Sequence, residues 1–333
     1  MNLVYLNLMT LMMMVVSLST NAQTDENQTT EMVQNDKTKI ELTDSIESVT
    51  SGQLKTITKF PSKFVTSRRV QVWLPDGYSK KLKYAVLYMH DGQMLFDASV
   101  TWNKQEWQVD EVASSLIAKQ KTKPFIVVAI DNGGDDHRHS DYFPEKPFLS
   151  LTKQQQQIAY NQRRNSQQKV FENSVASDNY LKFLVEELKP YIDAHFSVLT
   201  DKQNTAIMGS SMGGLISMYA MFEYPHVFGA AACLSTHWPG VFFSDNNPIP
   251  DAFNQYMAKG LANLSGNRIY FDYGDQTLDA MYPPLQKRVD EIFSQYDNTL
   301  WVSKFFPGEE HSERSWAKRL DIPMQFVFSS EAR

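Results

Sequence analysis

The chain has 333 residues, of which 42% are hydrophobic and 21% are charged, and its formal net charge is −6. This is the composition of an ordinary globular protein with a substantial core. Because Cys233 is the only cysteine, an intrachain disulfide scaffold and a cysteine-rich zinc module are excluded. The absence of strong positive charge argues against broad binding to phosphate backbones, so we expect no nucleic-acid partner.

The first residues read as a targeting segment. Residues 3–18 are apolar and uncharged, and small residues follow at Thr20 and Ala22. This pattern predicts a signal peptide over residues 1–22 and an exported protein, periplasmic or secreted. The apolar run is short for a bilayer span and no later run is long enough, so we expect no membrane insertion after the signal is removed.

Residues 23–49 are polar and acidic. Between Asp25 and Glu47 the sequence has seven acids and two bases, which accounts for most of the net charge. Such a composition predicts a flexible tether. The globular domain is expected over residues 50–333, and nothing in the sequence indicates its oligomeric state.

Within this domain, short apolar runs alternate with stretches of helical period. The runs that predict strands are 70–74, 85–89, 125–130, 205–208, 230–234, 269–273 and 301–306. The helical stretches are 106–119, 179–194, 215–223, 285–295 and 315–328. This alternation predicts an α/β fold, with a mostly parallel central sheet and helices on both faces. In such a sheet the chemistry lies at the carboxyl ends of the strands.

Residues 144–177 interrupt the alternation. They are rich in glutamine and have no acid between Pro147 and Val170. Two interpretations remain open. The segment is either a solvated insertion or a lid that forms a substrate wall and favours polar or anionic ligands.

Residues 209–214 read Gly-Ser-Ser-Met-Gly-Gly and lie between a predicted strand and a predicted helix. This is the G-x-S-x-G elbow in its required context, and it predicts Ser211 as a nucleophile. Gly209 and Gly213 lack a Cβ, so strand and helix can approach closely. The backbone N–H of Met212 is placed to stabilise an oxyanion.

A serine nucleophile needs a histidine base that is oriented by a carboxylate, in the chain order serine, acid, histidine. Of the histidines after Ser211, His237 and His311 are the candidates, and His311 is preferred because its loop follows the last strand. His237 is assigned to the substrate pocket, with a hydrogen-bonded loop histidine as the alternative. Asp279 is the preferred acid, and Asp275 is the alternative.

The second oxyanion donor is expected in the loop after the strand at 85–89. The loop reads His90-Asp91-Gly92-Gln93, and the N–H of Gly92 or Gln93 is the predicted donor. His90 and Asp91 are expected to brace this loop.

Several side chains near these loops are candidates for substrate binding. Arg138 is expected to bind a substrate carboxylate or to pin its loop to Asp141. Aromatic rings that can stack on a sugar or an aromatic group are Trp102, Tyr142, Trp238 and Tyr282. The run of acids and histidines at residues 135–139 is interpreted as a polar loop, and no metal or cofactor is expected.

Taken together, these motifs resemble an esterase family of the α/β-hydrolase fold. It includes enterochelin esterases, feruloyl and acetyl-xylan esterases, S-formylglutathione hydrolases and mycolyltransferases. The His-Asp-Gly-Gln run at 90–93, the elbow at 209–214 and the Gly-Glu-Glu-His-Ser-Glu run at 308–313 carry the resemblance, which covers about residues 50 to 330. It implies Ser211 as nucleophile, His311 as base, and Met212 with Gly92 or Gln93 as oxyanion hole.

The expected function is therefore exported serine carboxylic ester hydrolysis through an acyl-enzyme. The expected partner is a small-molecule or glycan-linked ester, namely a siderophore ester or an acylated polysaccharide. Two alternatives stay open: an acyltransferase that uses the same triad, and a catalytically inactive binding protein on a hydrolase scaffold.

Overall fold

A computed structural model describes residues 40–241, 246–296 and 299–329. Within these residues, nine strands form one sheet in the order β1-β2-β3-β5-β4-β6-β7-β8-β9. The strands are β1 (Thr43–Asp44), β2 (Gln53–Phe60), β3 (Arg68–Leu74), β4 (Ala85–His90), β5 (Phe125–Ile130), β6 (Thr205–Ser210), β7 (Ala230–Leu234), β8 (Arg268–Tyr273) and β9 (Leu300–Phe305). In this spatial order, the first three pairs (β1 with β2, β2 with β3, and β3 with β5) are antiparallel, and all the following pairs are parallel.

Helices cover both faces of this sheet. They are α1 (Val109–Ala118), α2 (Arg138–Tyr142), α3 (Glu145–Ser150), α4 (Lys153–Tyr160), α5 (Ser177–Lys182), α6 (Lys189–His195), α7 (Met212–Glu223), α8 (Ile249–Gly260), α9 (Tyr282–Phe293), α10 (Glu313–Ala317) and α11 (Asp321–Phe328). One hydrophobic cluster packs α5, α7, α8 and α9 on the sheet, and a second packs α1 and α11. The predicted mostly parallel sheet with helices on both faces is confirmed.

The predicted helix at 179–194 is less regular than its sequence period suggests. A π-helical turn, Phe183–Leu188, separates α5 from α6. Pro190 lies at the start of α6 and has no N–H to donate back to Glu186, which disturbs the α-helical ladder at this point.

The structure differs from the predicted tether at its carboxyl-terminal part. Thr43 and Asp44 pair with β2, and Glu47 forms an ion pair with Arg69. The N–H of Thr50 donates to Asp110 Oδ2 at 2.6 Å. This part of the chain is therefore attached to the folded domain, through β1 at the edge of the sheet, through Glu47 to β3 and through Thr50 to α1. The predicted signal peptide and residues 23–39 lie outside the described residues.

The 144–177 segment is anchored to the body by a few buried residues, whereas residues 161–169 are mostly exposed. It forms α3 and α4, and α4 begins with a capping box between Thr152 and Gln155. Phe148 and Phe171 are buried against Phe143 of the body. These aromatic anchors among the glutamines attach the segment to the core. Its role as a lid remains a prediction.

In the described part of the chain, no helix combines the length and apolar character needed to cross a membrane.

Candidate active site

The turn between β6 and α7 holds Ser211 in an unusual backbone conformation. Its φ is 57° and its ψ is −120°, and its side chain makes no capping hydrogen bond to α7. Such a conformation costs a non-glycine residue about 1–3 kcal/mol. The turn also needs Gly209, because a Cβ there would lie 2.8 Å from the carbonyl carbon of Gly213. The hydroxyl therefore does not cap the helix, and it lies within hydrogen-bond reach of Tyr282.

His311 is oriented by a buried carboxylate. Its Nδ1 lies 2.6 Å from Asp279 Oδ1, and Asp279 is 0% exposed. The second oxygen of Asp279 accepts hydrogen bonds from the Gly274 N–H at 2.7 Å and from the Ser235 hydroxyl at 2.6 Å. Asp275 has another position, where its Oδ1 accepts the Gly308 N–H at 2.8 Å. Of the two acids left open by the sequence, Asp279 is the one in contact with His311.

These contacts favour the ionised form of Asp279. Burial by itself raises the pKa of this carboxyl group. The hydrogen bond to His311, the charge of His311 and the hydrogen bonds from Ser235 and Gly274 outweigh burial, so the pKa lies below its ordinary value. A carboxylate held in this way accepts the Nδ1 proton of His311 and leaves Nε2 free to take a proton.

The loop that carries His311 is attached on three sides. The His311 N–H donates to Thr277 Oγ1 at 2.9 Å, and its ring meets the ring of Trp316 edge to face at 5.0 Å. Asn103 donates to Glu313 Oε2 at 2.8 Å from the opposite wall. These contacts hold the imidazole in one orientation, which general base catalysis requires.

Ser211 and His311 line one cleft of about 850 Å³. Its aromatic walls are Trp102, Trp107 and Trp316, and its charged side chains are Asp91, Asp135, Arg138, Arg164 and Glu313. Trp102 is 83% exposed, although exposure of so large an apolar ring is unfavourable in water. Arg164 comes from the 144–177 segment, so this segment contributes to the cleft.

The predicted oxyanion donors lie at this cleft. Met212 is the first residue of α7, so its N–H has no acceptor within the helix. Gln93 lines the cleft, and Gly92 packs so closely on the end of β5 that a Cβ would lie 2.8 Å from the Ile130 nitrogen. The residue before this pair, Asp91, has a left-handed backbone conformation with φ 55° and ψ 46°.

Arg138 holds Asp91 in place. Its Nε and Nη2 donate to Asp91 Oδ1 and Oδ2 at 2.7 and 2.8 Å, and Asn132 Nδ2 donates to Oδ1 at 2.7 Å. Burial raises the pKa of Asp91, but the adjacent Arg138 charge and these hydrogen bonds hold the pKa below its ordinary value. The guanidinium predicted to bind a substrate carboxylate is thus engaged by Asp91. Its other predicted partner, Asp141, pairs with Arg68 at 2.9 Å.

Of the other predicted substrate-binding residues, Trp102 is exposed, and the remaining ones are buried. Trp238 donates its indole N–H to Gln286 Oε1 at 2.8 Å, and the Tyr142 hydroxyl accepts the Asp91 N–H at 3.4 Å. His237 Nδ1 lies 2.9 Å from the Tyr282 hydroxyl, and the backbone N–H of His237 donates to the Ser211 carbonyl at 3.2 Å. Burial lowers the pKa of His237 to about 3, with a further contribution from His311. His237 therefore lies directly behind the elbow as a neutral group.

Sequence reasoning missed Ser235, which donates to Asp279, and Arg319, which donates to Ser235. Ser235 immediately follows β7, so its position at the carboxyl edge of the sheet was the one available signal. Arg319 lies between α10 and α11 and carries no such signal. Among the described residues, no group of three or more His, Cys, Asp or Glu is arranged to hold a metal ion.

Comparisons with known proteins agree with this fold. A family model described as "Putative esterase" matches residues 62–321. A curated relative, an endo-1,4-beta-xylanase/feruloyl esterase of Xylanibacter ruminicola, is 28% identical over 200 residues, which are 57% of this chain and 22% of that protein. The chain spans less than two thirds of the length of the curated relatives it matches.

Two solved structures show the same architecture. A ferulic acid esterase from Anaeromyces mucronatus superimposes with a TM-score of 0.56 at 20% identity, covering 84% of this chain and 92% of that one. The ferric enterobactin esterase of Salmonella typhimurium gives a TM-score of 0.59 at 16% identity, covering 84% and 59%. The α/β-hydrolase fold predicted from the sequence is confirmed, and the chain belongs to this esterase family.

Proposed function

We propose that the protein hydrolyses carboxylic esters through an acyl-enzyme on Ser211. The observation that carries this proposal is the 2.6 Å contact between His311 Nδ1 and the buried Asp279, in a cleft that Ser211 also lines. A serine in a strained elbow, a histidine with a free Nε2 and an ionised acid are the three parts that acyl transfer needs.

The reaction proceeds in two steps. In the first, Ser211 Oγ attacks the ester carbonyl carbon while His311 Nε2 takes the hydroxyl proton. The oxyanion is stabilised by the N–H groups of Met212 and of Gly92 or Gln93, and His311 then gives its proton to the leaving alkoxide. In the second step His311 Nε2 takes a proton from a water molecule, whose oxygen attacks the acyl carbonyl carbon. The bond between this carbon and Ser211 Oγ then breaks, His311 returns the proton to Oγ, and the acid is released.

The natural substrate we propose is an ester linked to a glycan. Trp102 supports this choice, since its exposed indole on the cleft wall presents a flat apolar face of the kind on which a pyranose ring stacks. The name of the Xylanibacter ruminicola relative points the same way. A siderophore ester is the second substrate to test, because one of the structural neighbours is an enterobactin esterase.

The first experiment compares hydrolysis of p-nitrophenyl acetate by the wild type and the variants Ser211→Ala and His311→Ala. Loss of either residue should lower kcat by several orders of magnitude. Ser197→Ala and His195→Ala are matched controls, because these side chains hydrogen-bond backbone carbonyls outside the cleft. Equal rates in the wild type and Ser211→Ala would overturn the proposal.

A second measurement separates hydrolysis from acyl transfer. A fluorophosphonate probe should label Ser211 in the wild type and not in Ser211→Ala. With a candidate sugar alcohol present, free acid as the only product supports hydrolysis, and an acylated sugar supports transfer. Absence of labelling in folded wild-type protein would favour a binding protein.

We also propose that the protein is exported. The support is the apolar run at residues 3–18 with small residues at Thr20 and Ala22. Amino-terminal sequencing of the processed protein should find Gln23 as its first residue, and an intact first methionine in the exported fraction would contradict cleavage there.

A further inference from the structure

A buried serine lies directly behind the acid that orients His311. Ser235 follows β7, is 0% exposed and has a left-handed φ of 41°. Its hydroxyl oxygen lies 2.6 Å from Asp279 Oδ2, 3.0 Å from Trp316 Nε1 and 3.1 Å from Arg319 Nη2. A left-handed conformation is unusual for serine, and here it aims the hydroxyl at these three groups.

The chemistry of the three neighbours fixes the direction of each hydrogen bond. An indole N–H and a guanidinium N–H can only donate, so Trp316 and Arg319 occupy the two lone pairs of the hydroxyl. The single hydroxyl proton is left for the carboxylate of Asp279. All hydrogen-bonding capacity of Ser235 is therefore used, and its proton always points at the acid.

Arg319 is anchored below this serine. Its Nη2 also donates to Asp272 Oδ1 at 2.9 Å, and Asp272 Oδ2 accepts the Tyr270 hydroxyl at 3.0 Å. Arg319 is 3% exposed and Asp272 is 0% exposed, so the ion pair is shielded from solvent. A guanidinium held in this way cannot turn to pair with Asp279 directly, and its positive charge reaches the acid through the polarised hydroxyl.

We propose that Ser235, held by Trp316 and Arg319, is a positioning residue that fixes the Asp279 carboxylate and through it the proton-bearing nitrogen and basicity of His311. This inference rests on the proposed esterase function. Ser235 is buried and does not touch the substrate, so its effect belongs to turnover and to the pH profile rather than to substrate binding.

Loss of the hydroxyl leaves Asp279 Oδ2 with the Gly274 N–H as its remaining donor among the contacts described. We expect kcat for p-nitrophenyl acetate to fall roughly ten- to a hundredfold, the effect of losing a hydrogen bond to a charged group, while KM stays within about twofold. The negative potential at His311 becomes stronger without the hydroxyl dipole. The acid limb of kcat/KM should therefore move to higher pH by roughly half a unit or more.

Two substitutions separate the hydroxyl from the backbone. Ser235→Ala and Ser235→Gly both remove the hydroxyl. Glycine adopts a φ of 41° without strain, so Ser235→Gly should fold at least as well as Ser235→Ala. Both variants should show the same loss of kcat and the same pH shift. Ser197→Ala is the matched control, since it removes a buried hydroxyl that donates to the Leu82 carbonyl. A wild-type kcat and pH profile in Ser235→Gly would overturn the inference.

A spectroscopic readout is independent of activity. The His311 Nδ1 proton in the 2.6 Å contact with Asp279 should give a downfield proton resonance, which should move in Ser235→Ala and stay in place in Ser197→Ala. An unmoved resonance in a folded Ser235 variant would overturn the inference. If the wild type and Ser211→Ala hydrolyse esters equally slowly, the proposed function fails, while a moved resonance still supports the network.

Discussion

The strongest test of the site is the substitution Asp279→Asn, which replaces one carboxylate oxygen with an amide nitrogen and keeps the shape. Two donors, the Gly274 N–H and the Ser235 hydroxyl, point at Oδ2. Because these donors require an acceptor, the amide oxygen must take their side and the NH2 group must face His311. The imidazole then has to accept at Nδ1 and carry its proton on Nε2, which makes it unable to deprotonate Ser211.

The size of the loss follows from this change of tautomer. An isosteric asparagine at a triad acid lowers kcat by about 10⁴. That factor corresponds to about 5.4 kcal/mol of transition-state stabilisation. Stability should change much less, since the two donors keep an acceptor and no volume is lost.

The assay is the steady-state hydrolysis of p-nitrophenyl acetate near pH 7.5, with the urea midpoint of unfolding as a check on folding. Asp275→Asn is the control, because Asp275 lies in the same turn and accepts the Gly308 N–H instead of contacting His311. The reasoning is refuted if Asp279→Asn retains more than about a tenth of the wild-type kcat, or if Asp275→Asn loses as much.

Three further outcomes follow from the structure. Arg138→Met frees Asp91 from its bidentate partner, so we expect kcat to fall roughly tenfold with an equal effect on neutral and anionic esters; a KM increase confined to anionic esters would instead make Arg138 a substrate ligand. Burial lowers the pKa of His90 and of His237 to about 3, so below pH 6.5 the unfolded state binds more protons. As the pH falls below 6.5, each of the two histidines should then lower the free energy of unfolding by up to about 1.4 kcal/mol per pH unit. Urea titrations that give the same stability at pH 7 and pH 4 would contradict this. Trp102→Ala should raise KM for a glycan-linked ester roughly two- to tenfold and leave p-nitrophenyl acetate unaffected; an equal change for both would remove the stacking role.

The strands that were predicted best are those buried on both faces. The predicted runs at 125–130 and 230–234 coincide with β5 and β7, because every residue in them is buried and the apolar run ends where the strand ends. β2 was not predicted, because its polar residues face outward between the few that are buried. The predicted helix at 315–328 is divided into α10 and α11, since Lys318 to Leu320 form a turn between them.

The candidate site residues that lie in short local motifs were the ones that the sequence could select. The elbow around Ser211 and the loop of His311 are short contiguous motifs, so each can be recognised from the residues next to it in the sequence. The acid was ambiguous because both Asp275 and Asp279 follow β8 closely. Only the path of the turn decides between them, and that path depends on the contact of Gly274 with the His311 loop, where a Cβ would lie 2.0 Å from the Glu309 carbonyl oxygen.

The supporting network was beyond local patterns because its partners are far apart in the chain. Ser235 and Arg319 are separated by 84 residues, and Asp91 and Arg138 by 47. The sequence shows that Arg138 is charged, but it does not show that Asp91 neutralises it. From the sequence, a cation near a predicted cleft suggests a substrate ligand. In the folded structure this cation pairs with a neighbouring carboxylate.

The polar residues at the carboxyl ends of the strands follow a common principle. Asp91 follows β4, Asp131 follows β5, Ser235 follows β7, and Asp272 lies within the end of β8. Each is partly or fully buried, so each needs a partner to offset its desolvation, and each has one. The partners come from distant segments and fix the loops that carry the chemistry. These four groups are accordingly interpreted as supports of the site, in contrast to Ser211, which also follows a buried strand but is the proposed nucleophile.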